Sequence, residues 1–375
     1  MTDVAALFPE SYEASRARFR QSLGRIQRQW PMARLVEQCL SVEQDLTIDW
    51  IEAEPLVRKD KVLLLTAGEH GIEAYVGAAM LQLFLAEYLE RLNPQDTGLC
   101  LVHAINPWGM KYQRRTNVAN VDVNRNFLAA PIDAAFNPDY ARLVALLDPQ
   151  GPVRSWYLSN LAFVLRLLWS LVWVGADKIR QATLLGQYRF PKGVYYGGDS
   201  VQEETRTLMA LYRNHLQKYE QIVHLDMHTG YGPRDQMSIV NSTLEPRDSQ
   251  DLAQRFSYPL VVKSDPNEFY RMQGDMIDYV CTLARHEFPG KRLYSTAFEF
   301  GTLGDSFPAV LRSLRTMILE NQTYWFDAGD SSLRERIRRD FQEMFFPQEA
   351  EWRTKAVADA RQAFQGILAA EGLIG

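Results

Sequence analysis

Cysteine is scarce in this 375-residue chain, occurring only at Cys39, Cys100 and Cys281, with no Cys-x-x-Cys pair. An odd, scattered set argues against a disulfide framework and for reduced thiols in a cytoplasmic protein. No block of Lys and Arg is present and the formal charge is −5, which argues against a general nucleic-acid binder. The opening residues, Met1-Thr2-Asp3-Val4-Ala5-Ala6-Leu7-Phe8-Pro9-Glu10, have neither a basic nor an apolar region, so no secretory signal is expected there. Internal repeats and Gly/Ser-rich linkers are absent too. Histidine is also rare, six in all, so each position invites a reading.

What is present is ordinary globular composition, 46% hydrophobic and 23% charged. Apolar strands are expected near 45–51, 61–66, 98–105, 221–226, 236–240, 259–263 and 293–298. Helices are expected at about 74–92 (amphipathic), 202–219, 274–286 and 308–323, and the stretch Ser11 to Leu40 reads as helical and charged. Strands alternating with helices predict an α/β fold with a mixed, largely parallel sheet flanked by helices. A single catalytic domain over 1–375 is expected, with a core at about 45–325, a helical insertion at about 128–200 and a helical extension at 331–375.

From Trp156 to Gly175 the chain is apolar and about as long as a membrane span. Arg166 at its middle argues against spanning, because an arginine at the bilayer centre costs roughly 2.5–3.5 kcal/mol even on the lenient scale. Burial in the core or in a subunit contact, as in a homo-oligomer, is the expectation; interfacial membrane contact is the alternative.

His70 and Glu73 fall where the strand at 61–66 runs through Gly68 into a helix. Three residues apart, an imidazole and a carboxylate reach a common cation, and a further histidine completes the His₂Glu set of catalytic zinc sites. His228, at a strand end before Thr229-Gly230-Tyr231-Gly232, is preferred over His224, which lies mid-strand. His103, His215 and His286 read as packing or surface residues. Glu299, flanked by Phe298 and Phe300, is a costly place for a carboxylate without a task; it suits a general base acting on water. The segment Lys111 to Phe127 is rich in Arg and Asn, and arginine suits carboxylate recognition.

These residues resemble the zinc carboxypeptidase (funnelin) superfamily, which includes pancreatic-type carboxypeptidases and aspartoacylase- or succinylglutamate desuccinylase-like deacylases. The resemblance runs from about Lys61 to Gly304. His70-Gly71-Ile72-Glu73 resembles its His-x-x-Glu zinc motif, and His228 in Asp226-Met227-His228-Thr229 its downstream zinc histidine. Asn106-Pro107-Trp108-Gly109 is similar to its Asn-Pro-x-Gly turn, and Phe298-Glu299-Phe300 to its catalytic-glutamate strand. Asp122-Val123-Asn124-Arg125-Asn126 resembles the segment whose Asn and Arg bind a substrate carboxylate and whose Asp backs the first zinc histidine. The resemblance further implies Tyr270 as a mobile substrate-contacting tyrosine, Ile277 as the residue setting side-chain preference, and Arg115 or Arg114, with Arg115 preferred, as the group polarising the carbonyl. It implies one Zn²⁺ per chain and hydrolysis of a peptide, or alternatively an N-acylated amino acid. A non-catalytic binding or membrane-associated module is the reading from outside enzymology.

Overall fold

Four consecutive parallel strands, buried along almost their whole length, set the frame of the molecule. The computed structural model describes residues 3–128, 135–264 and 273–375. Its strands are β1 (Arg34–Ser41), β2 (Leu46–Ala53), β3 (Lys61–Ala67), β4 (Thr97–His103), β5 (Gln221–Gly230), β6 (Met237–Asn241), β7 (Val261–Lys263) and β8 (Arg292–Gly301). They form one sheet in the order β1-β2-β4-β3-β5-β8-β6-β7. The pairs β4/β3, β3/β5, β5/β8 and β6/β7 are parallel, and the others antiparallel. The expected mixed, largely parallel α/β sheet is therefore what forms.

The helices are α1 (Val4–Leu7), α2 (Tyr12–Ile26), α3 (Ala74–Glu87), α4 (Pro107–Tyr112), α5 (Pro138–Arg142), α6 (Val144–Leu147) and α7 (Trp156–Trp173). They continue as α8 (Ala176–Leu184), α9 (Glu203–Lys218), α10 (Ser249–Phe256), α11 (Met276–Glu287), α12 (Phe307–Phe326), α13 (Ser331–Phe345) and α14 (Ala350–Ala370). Alternation along β3 and β5 divides the core. Leu63, Leu65, Val223, Leu225 and Met227 join a cluster with α3 and α14, while Val62, Leu64 and Ile222 face α9 and α11. Each fully buried Leu or Val of these layers contributes roughly 1.5–3 kcal/mol relative to exposure.

Three expectations change here. Ser11 to Leu40 is not one helix: α2 ends at Ile26 and Arg34–Ser41 is the edge strand β1. Trp30-Pro31 explains the break, since a residue preceding proline is pushed out of the helical region. Next, α3 is not amphipathic, because its residues from Ala74 to Leu81 are all buried between the sheet and α14. The third concerns α7, which the core of this chain does not bury. Only Phe163, Leu167 and Ser170 are buried, while Leu158, Leu165 and Val172 stand exposed. A segment apolar on most sides carries no periodicity to say which stripe faces inward.

Candidate active site

Because parallel strands end together, β3, β5 and β8 deliver their last residues to one edge of the sheet. Past Ala67 the chain turns at Gly68, whose φ of +77° favours glycine, and enters a 3-10 turn at Gly71–Glu73 with His70 as its N-cap. Gly71 is packed directly on α4: a Cβ there would lie 2.1 Å from the Gly109 carbonyl carbon. Asn106 caps α4 by accepting from Gly109 N at 2.8 Å, and its amide donates to Arg115 O at 3.3 Å. Backbone bonds from Gly71 N to Arg115 O (3.1 Å) and from Ile72 N to Arg114 O (2.9 Å) lock the turn to the arginine loop.

His70 Nδ1 lies 3.0 Å from Glu73 Oε1, His228 Nδ1 3.3 Å from Glu73 Oε2, and the two Nδ1 atoms 3.3 Å apart. Tetrahedral zinc with bonds of about 2.0–2.1 Å requires donor–donor edges of roughly 3.3 Å, so this set fits a zinc ion. Each histidine also has a carboxylate behind it. Asp122 Oδ1 is 3.0 Å from His70 Nε2, and Asp226 Oδ2 is 2.5 Å from His228 Nε2. Such carboxylates orient the rings so that both Nδ1 atoms face Glu73, and Arg115 Nη2 also lies 2.6 Å from His70 Nε2. Burial works to raise the Glu73 carboxyl, but His70, His228 and Arg115 outweigh it and hold it well below the ordinary range.

Glu299 stands opposite His228 in the β5/β8 register and accepts a hydrogen bond from Tyr231 N at 3.0 Å. Its side chain faces a cleft of about 450 Å³ that also receives Glu73, His228, Arg115, Asn124 and Arg125. The surrounding protein and the nearby Glu73 charge push its carboxyl up to about 7. Arg115 Nη1 donates to Glu73 Oε1 at 2.9 Å, and its Nε lies 3.4 Å from Asp122. Arg114 points elsewhere, pairing with Glu320 at 2.9 Å beneath the Tyr324 ring. Of the two arginines, only Arg115 lines the cleft.

Asn124 Oδ1 accepts from Met276 N at 2.9 Å, and Arg125 Nη1 donates to Asn124 O at 2.9 Å. The insertion braces this pair. Tyr188 donates to Arg125 O at 2.6 Å, and a Cβ on Gly186 would meet Arg125 Cδ at 2.7 Å. Ile277 lines the cleft beside Val240 and Ala297. Tyr270 lies outside the described residues.

Three of the remaining histidines are buried and bonded in the core, and the fourth is exposed. His224 is held by Thr66 Oγ1 and Ser295 Oγ, each at 2.9 Å, and burial lowers its pKa to about 4. His103 bonds Ser15 Oγ at 2.8 Å, His215 Nδ1 bonds Leu211 O, and His286 is on the surface of α11. Two carboxylates packed against His228 were not anticipated from the sequence, Asp226 behind the ring and Glu69 in the cleft lining. Asp226 was signalled by its period-2 spacing between His224 and His228 on an apolar strand. Glu69, fully buried and 3.4 Å from His228 Nε2, had only its position beside His70 to mark it; burial lifts its carboxyl well above the ordinary range.

Fold and site define an α/β protein with a buried His-Glu-His cluster, able to hold a metal ion, at the carboxyl edge of a parallel sheet. Residues 8–359 match the family described as "Protein of unknown function (DUF2817)", and the chain belongs to it. No curated protein matches it by sequence. Among solved structures, bovine thrombin-activatable fibrinolysis inhibitor bound to tick carboxypeptidase inhibitor is similar at 13% identity and TM-score 0.46, covering 93% of this chain and 96% of that one. The murein-tripeptide amidase MpaA of Escherichia coli O157 is similar at 18% identity and TM-score 0.37, covering 77% of this chain and 91% of that one. An aspartoacylase family protein of Mesorhizobium loti is similar at 14% identity and TM-score 0.36, covering 76% of this chain and 67% of that one.

Proposed function

We propose that this protein is a zinc-dependent hydrolase that cleaves an amide bond next to a carboxylate-bearing residue, in the manner of a metallocarboxypeptidase. The observation carrying this reading is the convergence of the His70, Glu73 and His228 donors with Glu299, Arg115, Asn124 and Arg125 in one cleft. When bound, zinc supplies Lewis acidity, lowering the pKa of water toward about 7 and polarising a carbonyl. Asn124 and Arg125 hold the substrate carboxylate, Arg125 through charge-assisted hydrogen bonds. Arg115 places a positive charge beside the carbonyl oxygen. Glu299 takes a proton from the attacking water as its oxygen bonds the carbonyl carbon. The C–N bond breaks, and the same proton passes from Glu299 to the leaving nitrogen. A carboxyl held near neutral pH suits both transfers.

The apolar part of the cleft lining favours a second substrate type. Leu167, Leu171, Ile179, Leu314 and Met317 line it, which accommodates the acyl group of an N-acyl amino acid. Rates on a panel of dipeptides against N-acyl amino acids decide between peptidase and deacylase.

The test of the hydrolase itself is Glu299→Gln. The variant should bind zinc as the parent does and lose about 10²–10⁴-fold in turnover, the usual share of a general acid–base. Retained turnover removes Glu299 from that role, and failure of the parent to hydrolyse any amide with zinc bound removes the reading.

A further inference from the structure

The helix α7 is amphipathic in the wrong direction for a water-facing element. Phe163, Leu167 and Ser170, spaced by four and three, face the body. The opposite arc presents Leu158, Leu161, Leu165, Leu168, Trp169 and Val172, each between 54% and 78% exposed, with no charged residue among them. Polar side chains lie instead toward the protein: Ser170 is buried, and Asn160 accepts from Arg315 Nη1 at 3.0 Å. Both ends are tied to the same body. Val153 N bonds Asp327 O at 3.1 Å, Trp156 lies under Arg315 and Arg336, and Ile179 and Ala182 of the following α8 are buried. A helix held this way lies along a surface and does not cross a bilayer.

Charge beside the apolar arc says what covers it. A cavity of about 230 Å³ at the flank of α7 is lined by Arg154, Arg166 and Arg315 and by no carboxylate, with Leu158 and Ala162 at its apolar side. Arg315 lies 3.9 Å from Asp340 and keeps its buried Nε without a hydrogen-bond partner, while Arg154 and Arg166 form no ion pair among the described residues. Residues 149–198 hold six basic side chains against one acidic, Asp177, a local charge of +5 in a chain of −5. A second copy packed on this face would bring two such regions together, and like charges oppose that contact. Phosphate headgroups above an acyl-chain layer match both features: the anion meets the arginines and the arc enters the apolar boundary.

We propose that α7 docks the protein on an anionic phospholipid surface, its outward arc in the headgroup–acyl boundary and a lipid phosphate in the Arg154/Arg166/Arg315 cavity. The inner side of α7 supplies Leu167 and Leu171 to the catalytic cleft, whose lining also includes the exposed Phe307 and Val310. Docking therefore sets one wall of that cleft against the membrane.

Co-sedimentation of the full chain with vesicles tests this. Vesicles of equal parts phosphatidylglycerol and phosphatidylcholine should pellet the protein, with phosphatidylcholine alone at least about fivefold weaker, the effect of one basic residue at the surface. The double variant Leu165→Glu/Val172→Glu should bind at least about tenfold more weakly to the mixed vesicles. Arg166→Glu should weaken binding to phosphatidylglycerol vesicles and leave the residual phosphatidylcholine binding alone. Leu165 and Val172 lie outside the cleft, so the double variant should hydrolyse a soluble substrate as the parent does; this separates docking from the hydrolase reading. Equal pelleting of parent and variants, or no pelleting, overturns the proposal. So does a dimer in sedimentation velocity that the double variant dissolves without any vesicle binding, which assigns the arc to a second copy. Capture of inorganic phosphate by the arginine cavity without pelleting overturns it as well.

Discussion

At the scale of the residue, Arg125 is the side chain to which carboxylate binding is proposed, and it stands apart from the three candidate metal donors. It lies in the cleft but bonds neither His70, Glu73 nor His228 among the described residues; it is held by Asn124 O and by packing against Gly186. Arg125→Ala should therefore raise KM for carboxylate-bearing substrates by roughly 1.5–3 kcal/mol, the loss of a charged hydrogen bond, with kcat changed far less. Steady-state kinetics on a carboxylate substrate and its amide check this; an equal loss on the amide would take the carboxylate away from Arg125. The same scale explains why His228 rather than His224 reaches the donor set. Both lie on one face of β5, but His224 is enclosed by Thr66, Ser295 and Tyr212, and only the strand's last turnings open to the cleft.

At the scale of elements, the site depends on how closely the ligand turn approaches α4. Gly71 packs against Gly109 with no room for a methyl group, and Gly109 itself sits under the Asn106 side chain. Gly71→Ala should cost about 1–3 kcal/mol in stability through overpacking and shift His70 and Glu73 out of donor geometry. Urea unfolding reads the first effect and zinc affinity the second. Wild-type stability with wild-type affinity would mean that α4 yields, and the contact does not position the ligands. Element boundaries also mark where sequence patterns fail. The β1 residues carry charges at Arg34 and Glu37 that suit an exposed helix as well as an edge strand; pairing with β2 decides the matter.

On the scale of the whole molecule, β3, β5, the Asp122 loop and the long insertion meet at one place, so a cation there ties distant segments together. A zinc ion bound by the folded state alone should add roughly 4 kcal/mol of stability at a thousandfold excess over Kd. Scanning calorimetry of metal-free protein with and without zinc should show a raised Tm, and His228→Ala should abolish the rise. A rise that survives the substitution removes His228 from the donor set.

Read alone, the sequence determined the alternation of strands and helices, the mixed parallel sheet, and the positions of His70, Glu73, His228 and Glu299 at strand ends. Those features are local or periodic: apolar runs fix strands, and a strand end fixes the edge at which a side chain appears. Tertiary structure decided the rest. It turned the Arg115 side chain into the cleft and the Arg114 side chain toward Glu320, although the turn at Gly71–Glu73 bonds both backbones. It brought Asp226 and Glu69 against His228 and set the insertion as a wall of the cleft. It also left α7 with an apolar arc facing outward. A helix apolar on most sides has no preferred inward stripe; which residues it buries depends on the partners that the rest of the fold offers.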